Sequence, residues 1–253
     1  MKTNEIQAIY VMWLRQMKRF IRFRTRLLTM IIQPLLFLIV LGFGFQQIDM
    51  PGLDIPFIHF YAPGIVAMAI LFSSMFTGVS ILWDKQFGFL QEVLVAPISR
   101  LSIIIGRTLG GATTALIQGF IILFIAIGIG VPVSSGFGMI FTIIFMLLIS
   151  FTAVGFGLVI ASKMNDFQSF PLIMNLLIMP LLFLSSAFFP VSEEPILQTI
   201  AYFNPLFYMV DGLRGTLIGT NNILPPIVDL AIVFIVCIFM MLIGSYLFGK
   251  SEA

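Results

Sequence analysis

Charge is scarce in this chain. Only 13 basic and 11 acidic side chains occur among 253 residues, against 60% hydrophobic residues and a mean hydropathy of +1.12. Soluble domains carry about 25% charged residues. One domain of this length cannot hide so much apolar surface from water, so a soluble globule is excluded and the solvent must be lipid. Cysteine is nearly missing as well. The single Cys237 lies in an apolar run, forms no internal disulfide and says nothing about redox compartment. Histidine occurs once, as His59, where a solvated interfacial ring is a simpler reading than a catalytic one.

Missing motifs exclude further classes. The chain has no G-x-x-x-x-G-K-[ST] phosphate loop, no H-E-x-x-H and no Cys/His metal spacing, so no catalytic residue, metal ligand or bound cofactor is expected. Gly-Phe-Gly at 42–44 lacks the rest of a dinucleotide fingerprint and reads as close helix packing. The apolar runs are free of charged residues except for Asp229, near the outer end of the last one, which leaves an ion-driven carrier little to work with. No signal peptide is expected, because the first apolar run follows an Arg-rich stretch and precedes no small-residue cleavage pattern.

What is present organises itself by helical period. From Glu5 to Arg26, Ile6, Ile9, Tyr10, Trp13, Met17, Phe20 and Ile21 share one face and Arg15, Lys18, Arg19, Arg22 and Arg26 the other. This predicts an interfacial helix with its cations toward anionic headgroups; a nucleic-acid partner is not expected, since the apolar face is regular and a span follows at once. Six spans are predicted, at about Leu27–Gln47, Phe60–Leu82, Thr108–Gly130, Met139–Ser162, Gln168–Phe189 and Ile227–Gly249. The map puts 12 of 13 basic residues on one side, Arg214 being the exception, so the positive-inside rule makes both termini cytoplasmic. The expected fold is therefore an all-α polytopic membrane protein with one transmembrane domain, 1–253.

Two segments stand out between the spans. The loop from Trp83 to Arg107 holds Asp84, Lys85, Glu92, Arg100 and Arg107; within it Phe87, Leu90 and Leu94 recur at helical spacing until Pro97. Spacing alone leaves two readings open, a short amphipathic helix or a solvated connector resting on the interface. The outer piece, 190–226, is too apolar for a solvated loop and too broken by Pro195 and Pro205 for one span. Two short helices meeting at Asn204-Pro205 are predicted, forming a re-entrant hairpin between spans 5 and 6. There Asp211 and Arg214, at i and i+3, are placed to pair. Either the pair fixes an external gate or Arg214 is a headgroup anchor. If the pair is the gate, removing Arg214 alone should be worse than removing both.

The run Leu-Gln-Glu-Val-Leu-Val-Ala-Pro-Ile-Ser-Arg ending at Gly106-Arg107, followed by Asp166-Phe167, Met179-Pro180, Phe188-Phe189-Pro190, Asn204-Pro205 and Asp211-Gly212-Leu213-Arg214, resembles the membrane permease of type-2 ATP-binding-cassette exporters over essentially the whole chain. The likeness is to the branch that exports drugs, polysaccharides or lipid-linked compounds from prokaryotes. Where many members have Ser-Gly before Phe-Phe-Pro, this chain has Ser185-Ser186-Ala187.

The resemblance implies a prokaryotic plasma-membrane protein with a separate ATPase subunit that holds the ATP and Mg. It also implies a second permease chain, a homodimer being simplest and a heterodimer the alternative. Docking would involve the N-terminal helix and the 83–107 loop, through Arg15, Lys18, Asp84, Phe87, Leu90, Glu92, Leu94 and Arg100. For the substrate path, Met68, Phe72, Phe76, Met174, Asn175 and Met179 offer either ordinary helix packing or an adaptable lining for an amphipathic, lipid-like or lipid-linked cargo. The competing functions are a channel or ion-coupled carrier, and an intramembrane enzyme.

Overall fold

A computed structural model describes residues 2–45, 53, 55–88, 98–164, 166–191 and 194–251. Every element among them is helical. In order they are α1 (Lys2–Arg22), α2 (Arg24–Leu36), α3 (Phe57–Gln86), α4 (Arg100–Ile129), α5 (Gly136–Lys163), α6 (Ser169–Phe183), α7 (Pro195–Tyr202), α8 (Pro205–Leu217) and α9 (Pro226–Ser251). Local chemistry sets several of these boundaries. Ser99 and Ser135 cap α4 and α5 by accepting the amides of Ser102 and Gly138 at 3.2 and 2.9 Å. Gly130, at φ 113°, ends α4 in the left-handed conformation that glycine tolerates. Within α2 lies Pro34, which lacks an amide donor, and the helix widens into a π turn over Phe37–Leu41 before its last turn, Gly42–Gly44.

Among the described residues four helices, α3, α4, α5 and α9, are long and apolar enough to cross a membrane. The apolar segments Leu28–Gly44 and Ser169–Phe183 are shorter. At 1.5 Å per residue, the 15 residues of α6 rise about 22 Å, less than the ~30 Å of a hydrocarbon core. The stretch predicted as a fifth span to Phe189 instead stops being helical at Phe183 and turns inward, burying Ser185, Ser186, Ala187 and Phe188. Those four residues pack on protein.

Other boundaries also move. The predicted interfacial helix to Arg26 breaks at Phe23, whose backbone is non-helical. Asp84 and Lys85, expected in a loop, belong to the last turns of α3, and Arg100 to Arg107 form the first two turns of α4.

α3 is the central helix, its apolar length almost wholly buried, whereas α9 is mostly exposed and turns Phe234, Ile235, Ile238 and Leu242 outward. Phe60, Tyr61, Met68, Phe145, Met146, Phe170 and Met174 fill the core around α3. α9 lies along α5 at Gly155 and Gly244, where an added Cβ at Gly155 would stand 3.0 Å from the Met240 backbone. α1 lies on α4 the same way: a Cβ at Gly106 would stand 2.7 Å from the Ile9 carbonyl, and one at Gly110 2.6 Å from the Gln16 side chain. Small residues four apart thus let a surface helix approach a membrane-type helix.

Candidate functional site

At one end of the bundle, Asp84 draws three helices together. Its carboxylate is 7% exposed and accepts two parallel hydrogen bonds from Arg15, Nη1 to Oδ2 at 2.7 Å and Nη2 to Oδ1 at 2.8 Å. Arg107, on α4 and 4% exposed, stands 2.9 Å from Oδ2, and Arg19 stands 3.6 Å from Oδ1. The fork-on-fork geometry of Arg15 and Asp84 fixes orientation as well as distance. Arg19 also stacks over the Trp83 ring at 5.4 Å, and Trp83 meets Phe87 and Phe167 edge-on at 5.9 and 5.4 Å. Burial pushes the Arg19 guanidinium below its ordinary pKa, against the opposing pull of Asp84. Farther along α1, Trp13 Nε1 donates to Thr113 Oγ1 at 3.1 Å and the Ser102 hydroxyl to Glu5 Oε2 at 3.5 Å. α1 is thereby locked to α3 and α4 by charge, hydrogen bonds and close packing.

The cations of α1 were expected to face headgroups, but two of them turn inward to Asp84, because one buried carboxylate needs cationic partners more than exposed guanidiniums need phosphate. Lys18 is exposed. Arg100 is away from this cluster and donates to the Gly249 carbonyl at 3.0 Å, joining α4 to the end of α9. Phe87 is 71% exposed beyond the end of α3. Leu90, Glu92 and Leu94 lie outside the described residues. Arg19 and Arg107 are additions to the site that spacing did not single out. Arg19 lies one turn beyond Arg15 on the same face of α1, whereas no spacing in the sequence ties Arg107 to Asp84.

A second cluster occupies the opposite end. Asn204 caps α8, its Oδ1 accepting the Leu206 amide at 3.0 Å while its Nδ2 donates to the Leu181 carbonyl at 2.6 Å, and Pro205 begins the helix. Asp211 and Arg214 are both fully buried, 3.7 Å apart. Neither depends chiefly on the other. Asp211 accepts the amides of Ile223 and Leu224 at 2.9 to 3.0 Å. Arg214 donates to the carbonyls of Phe60 and Ser186 at 3.2 and 2.5 Å and lies over the Phe60 ring at 3.7 Å. With no exposed atom, Arg214 is no headgroup anchor. Its grip holds Ser186 at φ 60°, the left-handed region that favours glycine. Asp229, also fully buried, accepts no hydrogen bond at either oxygen among the described residues.

Between α2, α3 and α6 lies a cavity of about 350 Å3, where Thr29, Gln33 and Asn175 punctuate an apolar wall that includes Phe72 and Met179. Met68 and Met174 do not line it. Met68 is one turn before Phe72, where α3 is sealed in the core, and Met174 turns about 100° away from Asn175 into the same core. Phe76 is on α3, and its side chain is outside the described set.

A family model described as ABC-2 type transporter matches residues 7–218. The chain is similar to a putative transport permease, ycf38, of Cyanophora paradoxa, 29% identical over 213 residues that cover 83% of this chain and 73% of the relative. It is 26% identical to the inner membrane transport permease YadH of Escherichia coli (strain K12), over 92% of each protein. It is also 28% identical to the probable multidrug ABC transporter permease YbhR of the same strain, over 64% of this chain and 44% of that protein.

Proposed function

The chain belongs to the ABC-2 type transporter family, and from that premise we propose that it is the permease of an ATP-driven exporter whose ATP and Mg2+ are held by a separate subunit. It is a multi-pass membrane protein, a transport permease and not itself an ATPase. Six crossings, with α2 and α6 as the short ones, put both termini and the Asp84 cluster in the cytoplasm and the Arg214 cluster outside. Two copies form the pathway, simplest as a homodimer.

The observation that carries this reading is the three-helix junction at Asp84. A push on α1 or on Phe87 cannot be absorbed locally, because Arg15, Arg19 and Arg107 tie α1 and α4 to the end of α3. Closure of the ATPase pair would therefore move α3 and α4 as rigid bodies. Phe87, with Leu90 and Leu94 after it in the sequence, supplies the apolar surface that the ATPase covers, and Arg15, Lys18, Glu92 and Arg100 are the charged residues assigned to the same contact. The hairpin of α7 and α8, pinned by Asn204, Pro205, Asp211 and Arg214, is the external gate. The cavity at Phe72, Asn175 and Met179 opens the path of an amphipathic, lipid-like or lipid-linked cargo.

Leu90→Asp should strip away the ATPase while leaving membrane insertion intact, because it buries an unpaired carboxylate in the contact. Normal co-purification and transport in that variant contradict the docking role. Cysteines placed at Ser99 and Ser192 should label from opposite sides of intact cells, and labelling of both from outside contradicts the six-crossing map.

One observation favours a second reading, an ion-coupled carrier: among the described residues Asp229 is a fully buried carboxylate without a hydrogen-bond donor. Asp229→Asn separates the two. It should leave ATP-driven export near the parental rate, whereas an ion-coupled carrier would lose its flux.

A further inference from the structure

Beside the Asp84 junction, an open cleft of about 620 Å3 runs between α1 and the end of α3. Arg15, Lys18, Arg19 and Arg22 line it from one face of α1, and among the described residues Asp84 is the one acidic side chain in its wall. Asp84 lies on the side of Arg15 and Arg19. Lys18 and Arg22 are exposed at the cleft. The remaining wall is apolar, and its aromatic residues are open: Phe23 is 50% exposed and Phe87 71%.

Cations and exposed aromatic rings in one cleft ask for a ligand that is anionic at one end and apolar at the other. The chain path sets its depth. α1 ends at Arg22 and the apolar α2 begins at Arg24, so the cleft's mouth lies where a surface helix turns into a membrane helix, while Trp83 and Phe87 mark where α3 emerges. That is the headgroup level of a bilayer.

We infer that this cleft is a discrete site for an anionic phospholipid, its phosphate held by Lys18 and Arg22 and the start of its acyl chains lying against Phe23. The inference goes beyond the transport reading and takes from it only the position of α1 at the membrane surface. A discrete site differs from diffuse attraction to the leaflet because it saturates at one lipid per chain and depends on these two cations rather than on total charge. Arg19 and Arg15 keep their places on Asp84 and enrich the local positive field.

Native mass spectrometry of the full-length chain, released from nanodiscs of phosphatidylcholine doped with phosphatidylglycerol, reads the site without any transport or ATPase signal. One phosphatidylglycerol per chain should stay bound and phosphatidylcholine should not. Lys18→Gln with Arg22→Gln should lower retention by about tenfold or more, whereas removing the same charge elsewhere, by Lys163→Gln with Lys250→Gln, should leave it unchanged. Lys18→Arg with Arg22→Lys should restore it.

Equal retention of both lipids overturns the site, and so does an equal loss in the two charge-removing variants. Displacement by excess inorganic phosphate would make it a free-anion site instead. If a photo-crosslinker at Arg22, in the complex with the ATPase, captures that subunit in place of lipid, the cleft is a protein contact and the inference fails.

Discussion

Arg15 and Asp84, 69 residues apart in sequence, meet through two parallel hydrogen bonds of 2.7 and 2.8 Å that join the amphipathic first helix to the end of the central one. Because Arg19 and Arg107 converge on the same carboxylate, Asp84 serves three cations. Asp84→Asn keeps the size and removes the charge. With Arg107 nearly buried and Arg15 about one-third exposed, the loss should fall between the surface and buried limits, about 1–3 kcal/mol. A lowered melting temperature in detergent and weaker coupling of ATP hydrolysis to transport are expected. Arg15→Lys should show a milder form of both, since a point charge cannot reproduce the fork. Parental melting and coupling in Asp84→Asn would show that the junction is ornamental.

At the other end, Arg214→Leu should be among the most damaging single substitutions, costing about 2–5 kcal/mol, because it leaves the buried carbonyls of Phe60 and Ser186 without their donor. The spacing of the pair suggested that removing both partners would be milder. Their separate backbone bonds change that expectation. Asp211→Asn together with Arg214→Leu should be no better than Arg214→Leu alone, measured by melting and by export rate. Recovery in the double variant would show that the 3.7 Å ion pair outweighs the bonds to backbone.

Ser186 stands in the left-handed region at φ 60°. Ser186→Gly should remove the strain of a Cβ there and raise stability by about 1 kcal/mol, provided the weak 3.4 Å contact from Arg214 Nη1 to the Ser186 hydroxyl contributes less. A rise in melting temperature is expected. A fall would mean that the hydroxyl, not the backbone, anchors Arg214.

Some of this arrangement was legible in the sequence, and the reasons differ by element. The amphipathic character of α1 and the apolar lengths of α3, α4, α5 and α9 follow from period and composition, and Pro195 and Pro205 mark the starts of α7 and α8. Interior charge was not legible. Asp84 and Lys85 look like loop residues until Arg15 and Arg107 are seen to satisfy the first of them, so the helix could not be continued to Gln86 from the pattern alone. The run after Phe183 carries no charge, so hydropathy let the span continue to Phe189 although Ser185 to Phe188 pack on protein. Of the two readings left open for Met68 and Met174, packing or lining, both side chains take the packed one beside this cavity, because helical spacing gives a face without saying what covers it.

The most direct test is transport in proteoliposomes that contain the permease and its co-purified ATPase, with a panel of fluorescent amphiphiles loaded on the ATPase side. Movement that requires both the partner and hydrolysable ATP with Mg2+, and that Leu90→Asp abolishes, is the predicted result. Movement by the permease alone, driven by an ion gradient and indifferent to ATP, would contradict the account.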